Sequence, residues 1–359
     1  MSLTPVELIE LDGTPSRQES VRFEVLDTNL LVVGEIHPDR GSPPRISHST
    51  ESAIMRSLSG FRLDPEQAGQ IDTITARIRP SWILQDGTSY PLGVFLFADA
   101  SRSLLSYGTE LDATLVDQTF ILDQQLDASL SYPAGTVVTT VLDELAALAG
   151  IVSRAVTPST QALSYPIAWK AGTARLTAMV ELCQQIAYSA PYFDNEGTLR
   201  IVPARNAATA SPDIVYAAGD LDSGRIYAKT IVETDDLLRA PNRYVVIDNS
   251  ATAGPIVGRY DLPSSAPNSI ANRGFAVTRV VDLQGLSSPA DADSAARALA
   301  SQDAEAFLWA TFSAAPDPRH DAFNIVEFLG GLYREIGWTL TCAPGGPHTH
   351  NLRGIYVDA

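Results

Sequence analysis

The chain has 359 residues and is acidic, with 25 Lys and Arg against 42 Asp and Glu and a formal net charge of −17 at pH 7. No basic run interleaves with aromatic residues, and no apolar run approaches the ~20 residues of a spanning helix, which argues against binding to a nucleic-acid backbone and against a membrane anchor. Only 19% of the residues are charged, whereas 24 Gly and 23 Pro favour many short strands and turns.

The first part of the chain is predicted to be β. Residues 1–16 are interpreted as an N-terminal arm without the basic segment of a signal peptide, and residues 17–130 as a first β domain. Its segments alternate apolar and polar side chains or, at 90–98, are apolar on both faces, as in a strand buried on both sides. The predicted strands lie at 21–38, 53–63, 72–79, 82–84, 90–98 and 111–122.

Residues 131–218 are predicted to form a small α/β insert domain. Apolar residues recur at helical spacing after Thr136, the expected N-cap, and Gly150 is placed to end that helix. A second helical pattern covers 174–187. A tight turn at 195–197 then indicates a short hairpin.

The last third of the chain is predicted to return to β structure. Residues 219–241 are interpreted as a connector returning to the first β domain, and residues 242–359 as a second β domain. Ser288 followed by Pro289 is typical of a helix start, and that helix is expected to run to about Leu308. The predicted fold class is therefore mainly β (α+β), with two β domains and an α/β insert between them.

Three stretches carry a resemblance to a known family. They are the segments 55–60 with 86–95, the hairpin 191–200, and the segments 317–327 with 345–350. Together they resemble the tail-tip or baseplate hub proteins (minor tail proteins) of long-tailed phages of actinobacteria, over roughly residues 17 to 355. The order and spacing of the three stretches carry the likeness more than any single motif.

The resemblance implies an architecture and a role. Hub proteins carry two tail-tube-like β-sandwich or barrel domains, each with a flanking helix, and a smaller domain between them. Three copies form a pseudo-hexameric ring that joins the six-fold tail tube to a three-fold tip and surrounds the DNA exit channel. The expected protein is a structural component of the virion tail, assembled in the host cytoplasm, and not an enzyme.

The same resemblance implies a set of partners. These are two further copies of the chain, the distal tail protein or last tail-tube ring, the end of the tape-measure protein, and a central tip or fibre protein. DNA would only pass through the lumen, where an acidic wall repels it. Asp72, Asp112, Asp117 and Glu327 are expected in or beside strands and could face the bore. A one-residue slip in register would move any of them to the other face.

Three histidines are candidates for a metal or catalytic site. His348 and His350 lie two residues apart, so both project to one side of a strand, and Cys342 could add a thiolate to a zinc site. No fourth ligand has suitable spacing, and a structural role without metal is favoured. His320 beside Asp321 could be an acid–base pair, but its Pro-rich surroundings favour a turn. No cofactor, metal or catalytic residue is therefore predicted.

Other polar and aromatic motifs are also interpreted as structural. The paired carboxylates lack the loop pattern of a cation site, the glycine segments lack the end of a phosphate loop, and no nucleophile motif surrounds the serines. An aromatic pair is assigned to core or interface packing rather than to sugar binding. These motifs are Asp235 with Asp236, Asp291 with Asp293, the segments 134–136 and 330–331, Ser57, Ser101, and Tyr192 with Phe193.

Two alternatives from other classes remain open at this point. A carbohydrate-binding β module would meet the host wall directly through a surface aromatic platform. A cell-wall hydrolase is suggested by hubs that carry a lytic domain, although no matching motif occurs in the sequence.

Overall fold

The computed structural model describes residues 19–39, 41–106, 108–205, 210–217, 219–220, 225–235, 240–249, 254–266, 268–283, 286, 288–303 and 308–354. The N-terminal arm predicted at 1–16 and Asp236 lie outside these residues. As predicted, the fold is mainly β with a smaller helical content. In the part of the chain that the structure describes, no helix has the length and apolarity to cross a membrane.

A 14-stranded sheet forms the body of the molecule, and its N-terminal half comes from the first β region. Inward-facing positions alternate along these strands, as Leu111, Ala113 and Leu115 do on the eighth strand. The eight strands are β1 Ser20–Leu26, β2 Val32–Ile36, β3 Arg45–Ser49, β4 Arg56–Leu63, β5 Arg77–Ile83, β6 Ser89–Pro91, β7 Phe95–Leu105 and β8 Gly108–Asp117.

The C-terminal strands continue the same sheet instead of forming a separate one. The connection is the antiparallel pair β3–β21, in which Trp338 lies opposite His48 and Leu340 lies opposite Ile46. The C-terminal half consists of β14 Ile214–Tyr216, β15 Ile226–Asp235, β19 Leu308–Ala314, β20 Ile325–Phe328, β21 Gly331–Thr341 and β22 His348–Gly354.

The large sheet is open. Its main strand order is β15-β19-β22-β21-β3-β4-β8-β7-β5-β1-β2, and β14, β20 and β6 branch from that path. Among the described strands, β15 and β2 therefore end the path, and no barrel closes. Two hydrophobic cores flank the β3–β21 connection, one around Phe61 and Trp82 and one around Phe312 and Phe328.

One predicted strand starts later than expected. The alternation of residues 72–79 predicts a strand over the whole segment, but β5 begins at Arg77. Asp72 instead closes a turn, because its carboxylate accepts hydrogen bonds from the Ile74 amide at 3.0 Å and the Thr75 hydroxyl at 2.7 Å. Such side-chain bonds to nearby backbone compete with strand pairing. The segment predicted as one two-sided strand at 90–98 is divided between β6, which ends at Pro91, and β7, which begins at Phe95. Residues 92–95 are buried, but Ala98 on β7 is exposed, so the predicted burial on both faces holds only for part of the segment.

The insert region has a core of its own, which extends from Leu122 to Ile201. The short helix α1 Pro65–Ala68 belongs to the first β region. The elements of the insert region are α2 Thr119–Leu122, β9 Leu130–Tyr132, α3 Val138–Leu148, β10 Arg154–Val156, β11 Ile167–Trp169, α4 Arg175–Gln185, β12 Tyr192–Phe193 and β13 Leu199–Ile201. Both predicted helices and the predicted hairpin are present.

The ends of α3 test the predicted caps. Gly150 follows the helix with φ +78°, the left-handed conformation that favours glycine, so the predicted end is confirmed. The predicted N-cap is wrong, because the capping position is Val137 and no side chain caps it. The Thr136 hydroxyl donates to the Pro133 carbonyl oxygen at 2.9 Å instead, which closes the turn before the helix.

A small α/β unit is inserted in sequence between β15 and β19. It consists of β16 Arg243–Asp248, β17 Ile256–Asp261, α5 Ile270–Arg273, β18 Thr278–Asp282 and α6 Pro289–Asp303. The boundary predicted at 242 groups this unit with residues 308–354, whereas strand pairing attaches those residues to β15 and β3.

The helix α6 begins as the sequence indicates. Ser288 Oγ accepts a hydrogen bond from the Asp291 amide at 3.2 Å. Its predicted end at Leu308 is wrong, because Leu308 starts β19; the described helix covers Pro289–Asp303. The helix crosses β17 at Gly258, where an added Cβ would lie 2.2 Å from the Ala292 carbonyl carbon.

Candidate functional site

Three buried histidines gather in the C-terminal half of the large sheet. His348 and His350 occupy alternate positions on β22, so both project from the same face. His320 reaches them from the 315–324 segment between β19 and β20. Their ring centroids are 4.0 Å apart for His348 and His350, 4.3 Å for His320 and His350, and 4.9 Å for His320 and His348.

A single buried carboxylate connects two of these rings. Glu335 Oε2 lies 2.6 Å from His320 Nδ1, and Glu335 Oε1 lies 2.7 Å from His350 Nδ1. Burial lowers the pKa of His320 and of His350 to about 4, so both imidazoles are neutral near pH 7. Each ring therefore donates its Nδ1 proton to the carboxylate and turns its Nε2 lone pair away from it.

The Nε2 atoms of these two rings meet a tyrosine hydroxyl. Tyr216 on β14 is fully buried, and its hydroxyl oxygen lies 2.9 Å from His320 Nε2 and 3.4 Å from His350 Nε2. Burial raises the pKa of Tyr216 well above its usual value, so the phenol keeps its proton. The hydroxyl can then donate to His320. We name the group of His320, His348, His350, Glu335 and Tyr216 the histidine cluster.

An ion-pair network borders the histidine cluster on one side. Asp317 is buried, and Arg319 Nε donates to its Oδ1 at 2.8 Å, while the Arg225 guanidinium lies 3.6 Å from Oδ2. Burial acts to raise the pKa of Asp317, but the Arg319 and Arg225 charges outweigh it and hold that pKa well below its usual value. The Asp317 amide lies 3.3 Å from His348 Nδ1. The network thus fixes the segment that carries His320.

A three-way junction borders the cluster on another side. Arg56 of β4 is 1% exposed, contacts the carboxylate of Asp321, and donates to Asn195 Oδ1 at 2.6 Å. Asn195 in turn donates to the His320 carbonyl oxygen at 2.9 Å, and its own carbonyl accepts from the Gly93 amide at 2.9 Å. The first β region, the insert and the 315–324 segment therefore meet at Asn195.

The structure changes the partners expected for the candidate site residues. His320 pairs with Glu335, whereas Asp321 pairs with Arg56. Cys342 lies in the core around Phe61, and among the described residues the group that could hold a metal is His320, His348 and His350. The metal-free interpretation of His348, His350 and Cys342 stays a prediction.

The carboxylates considered for the bore fall on different surfaces. Asp117 shares the inward register of Leu115 and is buried, so it cannot face a channel. Asp112 lies on the opposite face of β8, exposed and 2.9 Å from Arg62. Glu327 is half-buried on β20, and Asp72 lies in its turn.

The remaining motifs contribute to local structure. Tyr192 contacts Phe323 with ring centroids 5.4 Å apart, and Phe193 is buried in the insert core. Asp293 of α6 accepts a hydrogen bond from the Arg259 amide at 2.8 Å. The side chain of Asp235 lies outside the described part of the structure. Ser57 lies on β4, Ser101 on β7, and Asp291 in the first turn of α6. The segment 134–136 lies in the turn before α3, and Gly330 ends a turn after which Gly331 begins β21.

Sequence reasoning missed Glu335 and Tyr216. Glu335 and Tyr333 lie two residues apart on β21, so both side chains point to the same buried face. A charged residue at an alternate position of an apolar strand face was the sequence feature that could have indicated the site. Buried carboxylates are rare unless they are paired. The pairing itself depends on strand register, which the sequence does not specify.

Acid is expected to destabilise the chain through this cluster. The unfolded histidines bind protons near pH 6.5, whereas burial lowers the native pKa of His320 and His350 to about 4 and that of His348 well below its usual value. The unfolded state then binds more protons, so the free energy of unfolding falls between pH 6.5 and about 4, by up to about 1.4 kcal/mol per pH unit for each ring. Glu335, whose pKa burial raises, opposes this, but it is one carboxylate against three imidazoles.

Urea unfolding at pH 7.0, 5.5 and 4.5, with a metal chelator present, measures this dependence. A free energy of unfolding that is equal at pH 7.0 and 4.5 would contradict the neutral, buried state assigned to the three rings.

Comparison with known proteins identifies the fold. No protein-family model and no curated protein sequence matches the chain. Several solved structures are similar to the chain. The tail protein from Neisseria meningitidis MC58 has a TM-score of 0.64 at 12% identity, over 93% of this chain and 96% of that one. The 43 kDa tail protein of prophage MuSo2 from Shewanella oneidensis has a TM-score of 0.64 at 12% identity, over 93% and 98%. The prophage tail protein gp18 from Listeria monocytogenes EGD-e has a TM-score of 0.54 at 12% identity, over 92% and 94%.

Proposed function

We propose that this chain is a structural protein of a phage tail, a tail-tip hub of which three copies form a pseudo-hexameric ring. The ring joins the six-fold tail tube to a three-fold tip and surrounds the DNA exit channel. The observation that carries the proposal is the fold shared with three tail proteins over more than 90% of both chains. The sequence resemblance to hubs of long-tailed actinobacterial phages supports the finer role.

The open sheet suits assembly into a ring. Its two ends, β2 and β15, lie at opposite ends of one strand path. The start of β2 carries exposed apolar side chains. Val32 and Val33 on the strand are 54% and 65% exposed, and Leu31, just before it, is 65% exposed. Exposed apolar edge strands invite pairing with another chain, and contacts between two different surfaces close into rings when the rotation permits. We infer that the β2 edge of one copy contacts the next copy around the ring.

The two halves of the sheet suit the pseudo-hexamer. The β3–β21 pair connects an N-terminal and a C-terminal set of strands, each with its own core. If each half serves as one tube-like unit, then three copies supply the six units that a six-fold tube requires.

The histidine cluster supports a structural role rather than catalysis. All three imidazoles, Glu335 and Tyr216 are buried, so a wall polymer or other large substrate has no access to them. A net charge of −17 for each copy favours passage of DNA without adhesion. Asp72, Asp112 and Glu327 remain candidates for the bore.

The proposed partners follow from the position in the tail. They are two further copies of the chain, the distal tail protein or last tail-tube ring, the end of the tape-measure protein, and a central tip or fibre protein. The protein would be assembled in the host cytoplasm and would remain in the virion tail.

A lysine on the β2 edge is expected to prevent ring formation. In a ring, Val33→Lys would bury an unpaired charge at each contact, which costs about 3–5 kcal/mol when it has no partner. Native mass measurement should give trimers for the wild-type chain and monomers for the variant, with thermal unfolding of the monomer little changed. Val280→Lys, at a 59% exposed position on β18, is the matched control and should remain trimeric.

Two outcomes would count against this assembly. A Val33→Lys chain that still forms trimers would remove the β2 edge from the contact. A wild-type chain that is monomeric in the assembled tail would remove the ring itself.

A further inference from the structure

We propose that the Nε2 atoms of His320, His348 and His350, together with the hydroxyl oxygen of Tyr216, form a structural site for one Zn²⁺ ion. The three histidines each offer a nitrogen, and these atoms lie within 4.8 Å of one another. The proposal does not depend on the tail function, because it rests on side-chain geometry alone.

The orientation of two rings is the first argument. Glu335 binds Nδ1 of His320 at 2.6 Å and Nδ1 of His350 at 2.7 Å, so both Nε2 lone pairs point to the same side. Histidines that bind metal typically donate their other ring proton to a carboxylate or carbonyl oxygen, which fixes the ring and raises its basicity. One glutamate provides that support for two ligands here.

The third histidine supplies an independent observation. His348 is fully buried, and among the described residues its Nε2 atom has no hydrogen-bond partner. An unsatisfied buried polar atom is costly, and a metal ion is one way to satisfy it. His348 Nδ1 accepts a hydrogen bond from the Asp317 amide at 3.3 Å. To bind zinc through Nε2, the ring must move its proton to Nδ1 and give up that hydrogen bond, since two N–H donors cannot face each other.

The hydroxyl oxygen of Tyr216 lies as far from two histidine nitrogens as a fourth zinc ligand would. Four ligands at ~2.0–2.1 Å in tetrahedral arrangement lie roughly 3.3 Å from one another. The hydroxyl oxygen of Tyr216 is 2.9 Å from His320 Nε2 and 3.4 Å from His350 Nε2, which brackets that separation. Imidazole nitrogens suit zinc, and a closed four-coordinate site is typical of a structural ion.

Charge favours the same ion. On coordination the Tyr216 hydroxyl releases its proton to solvent, and the phenolate together with the Glu335 carboxylate balances the two positive charges of Zn²⁺. The neighbouring Arg225 and Arg319 are already paired with Asp317. The ion would tie β14, the 315–324 segment and β22 together, next to the junction at Asn195.

Refolding with metal tests the site. The full chain is unfolded with a chelator, refolded with or without ZnCl₂, passed over a desalting column, and analysed for metal and thermal stability. We expect one zinc per chain, a higher unfolding temperature with zinc, and a tetrahedral Co²⁺ absorption spectrum after cobalt substitution. A folded wild-type chain that retains no zinc, or an octahedral cobalt spectrum, would overturn the proposal.

Variants assign the ligands. His348→Gln should lower zinc affinity by more than about 100-fold, and Glu335→Gln by the ~10–100-fold typical of a residue that orients ligands. Tyr216→Phe keeps the packing and should change the cobalt spectrum, so it serves if His348→Gln does not fold. His48→Gln, a buried histidine outside the site, is the control and should still bind one zinc. If the His348→Gln and Tyr216→Phe chains bound as much zinc as the His48→Gln control, with the wild-type cobalt spectrum, His348 and Tyr216 would not be ligands.

Discussion

Replacing Arg56 with Met is expected to lower the free energy of unfolding by about 3–5 kcal/mol, because it removes two charge-assisted hydrogen bonds that contribute about 1.5–3 kcal/mol each. Arg56 is 1% exposed and binds Asn195 and Asp321, which belong to two other parts of the chain. Its guanidinium also lies 5.7 Å from the Trp338 ring centroid. The substitution therefore loosens all three parts at once. Urea unfolding of the wild-type and variant chains at pH 7 measures the loss.

The control lies on the same strand. Arg62→Met removes the ion pair with Asp112, whose two side chains are 49% and 51% exposed. Exposed pairs contribute little, so this variant should unfold close to the wild-type midpoint. If Arg56→Met were as stable as Arg62→Met, the junction at Asn195 would not hold the three parts together.

Replacing Gly197 with Val is expected to separate the insert from the first β region. Gly197 has φ +82°, and an added Cβ would lie 2.6 Å from Val94 Cγ2. Its carbonyl oxygen also accepts a hydrogen bond from Gln118 Nε2 at 2.9 Å, so the turn is docked directly on the body. Left-handed backbone strain and overpacking each cost about 1–3 kcal/mol. We expect earlier unfolding and faster proteolytic release of the insert.

A matched substitution at a second glycine separates the effect of the collision with Val94 from the effect of backbone strain. Gly135 has φ +84°, but nothing lies within 4 Å of its added Cβ. Gly135→Val therefore carries the same backbone strain without the collision. The difference between the two variants, about 1–3 kcal/mol, measures the docking of the turn. Equal stability losses, or equal rates of proteolysis, would mean that Gly197 does not pack against Val94 in solution.

Local signals in the sequence predicted local structure well. Helical spacing located α3 and α4, Gly150 ended α3, and the Ser288–Pro289 pair started α6. These features depend on interactions within a few residues. Thr136 shows the limit, because a hydroxyl can close a preceding turn as readily as it caps a helix, and the sequence is the same in both cases.

The pairing of strands that are far apart in the chain could not be predicted from the sequence. The β3–β21 pair joins residues about 290 positions apart, and no periodicity within either strand specifies its partner. The histidine cluster has the same origin: His348 and His350 were recognised from their spacing, but Glu335 and Tyr216 join them only through the register of β14, β21 and β22. Asp117 illustrates this as well, since one step in register separates it from the half-buried position of Val116 on the other face of β8.

Electron microscopy of the assembled chain tests the central proposal most directly. Class averages along the ring axis, from purified chain or from isolated tails, give the number of copies and show whether a passage exists. We predict rings of three copies around an open channel, with six similar lobes in the layer that meets the tube. A two-fold particle, or three copies with no central opening, would contradict the proposed hub.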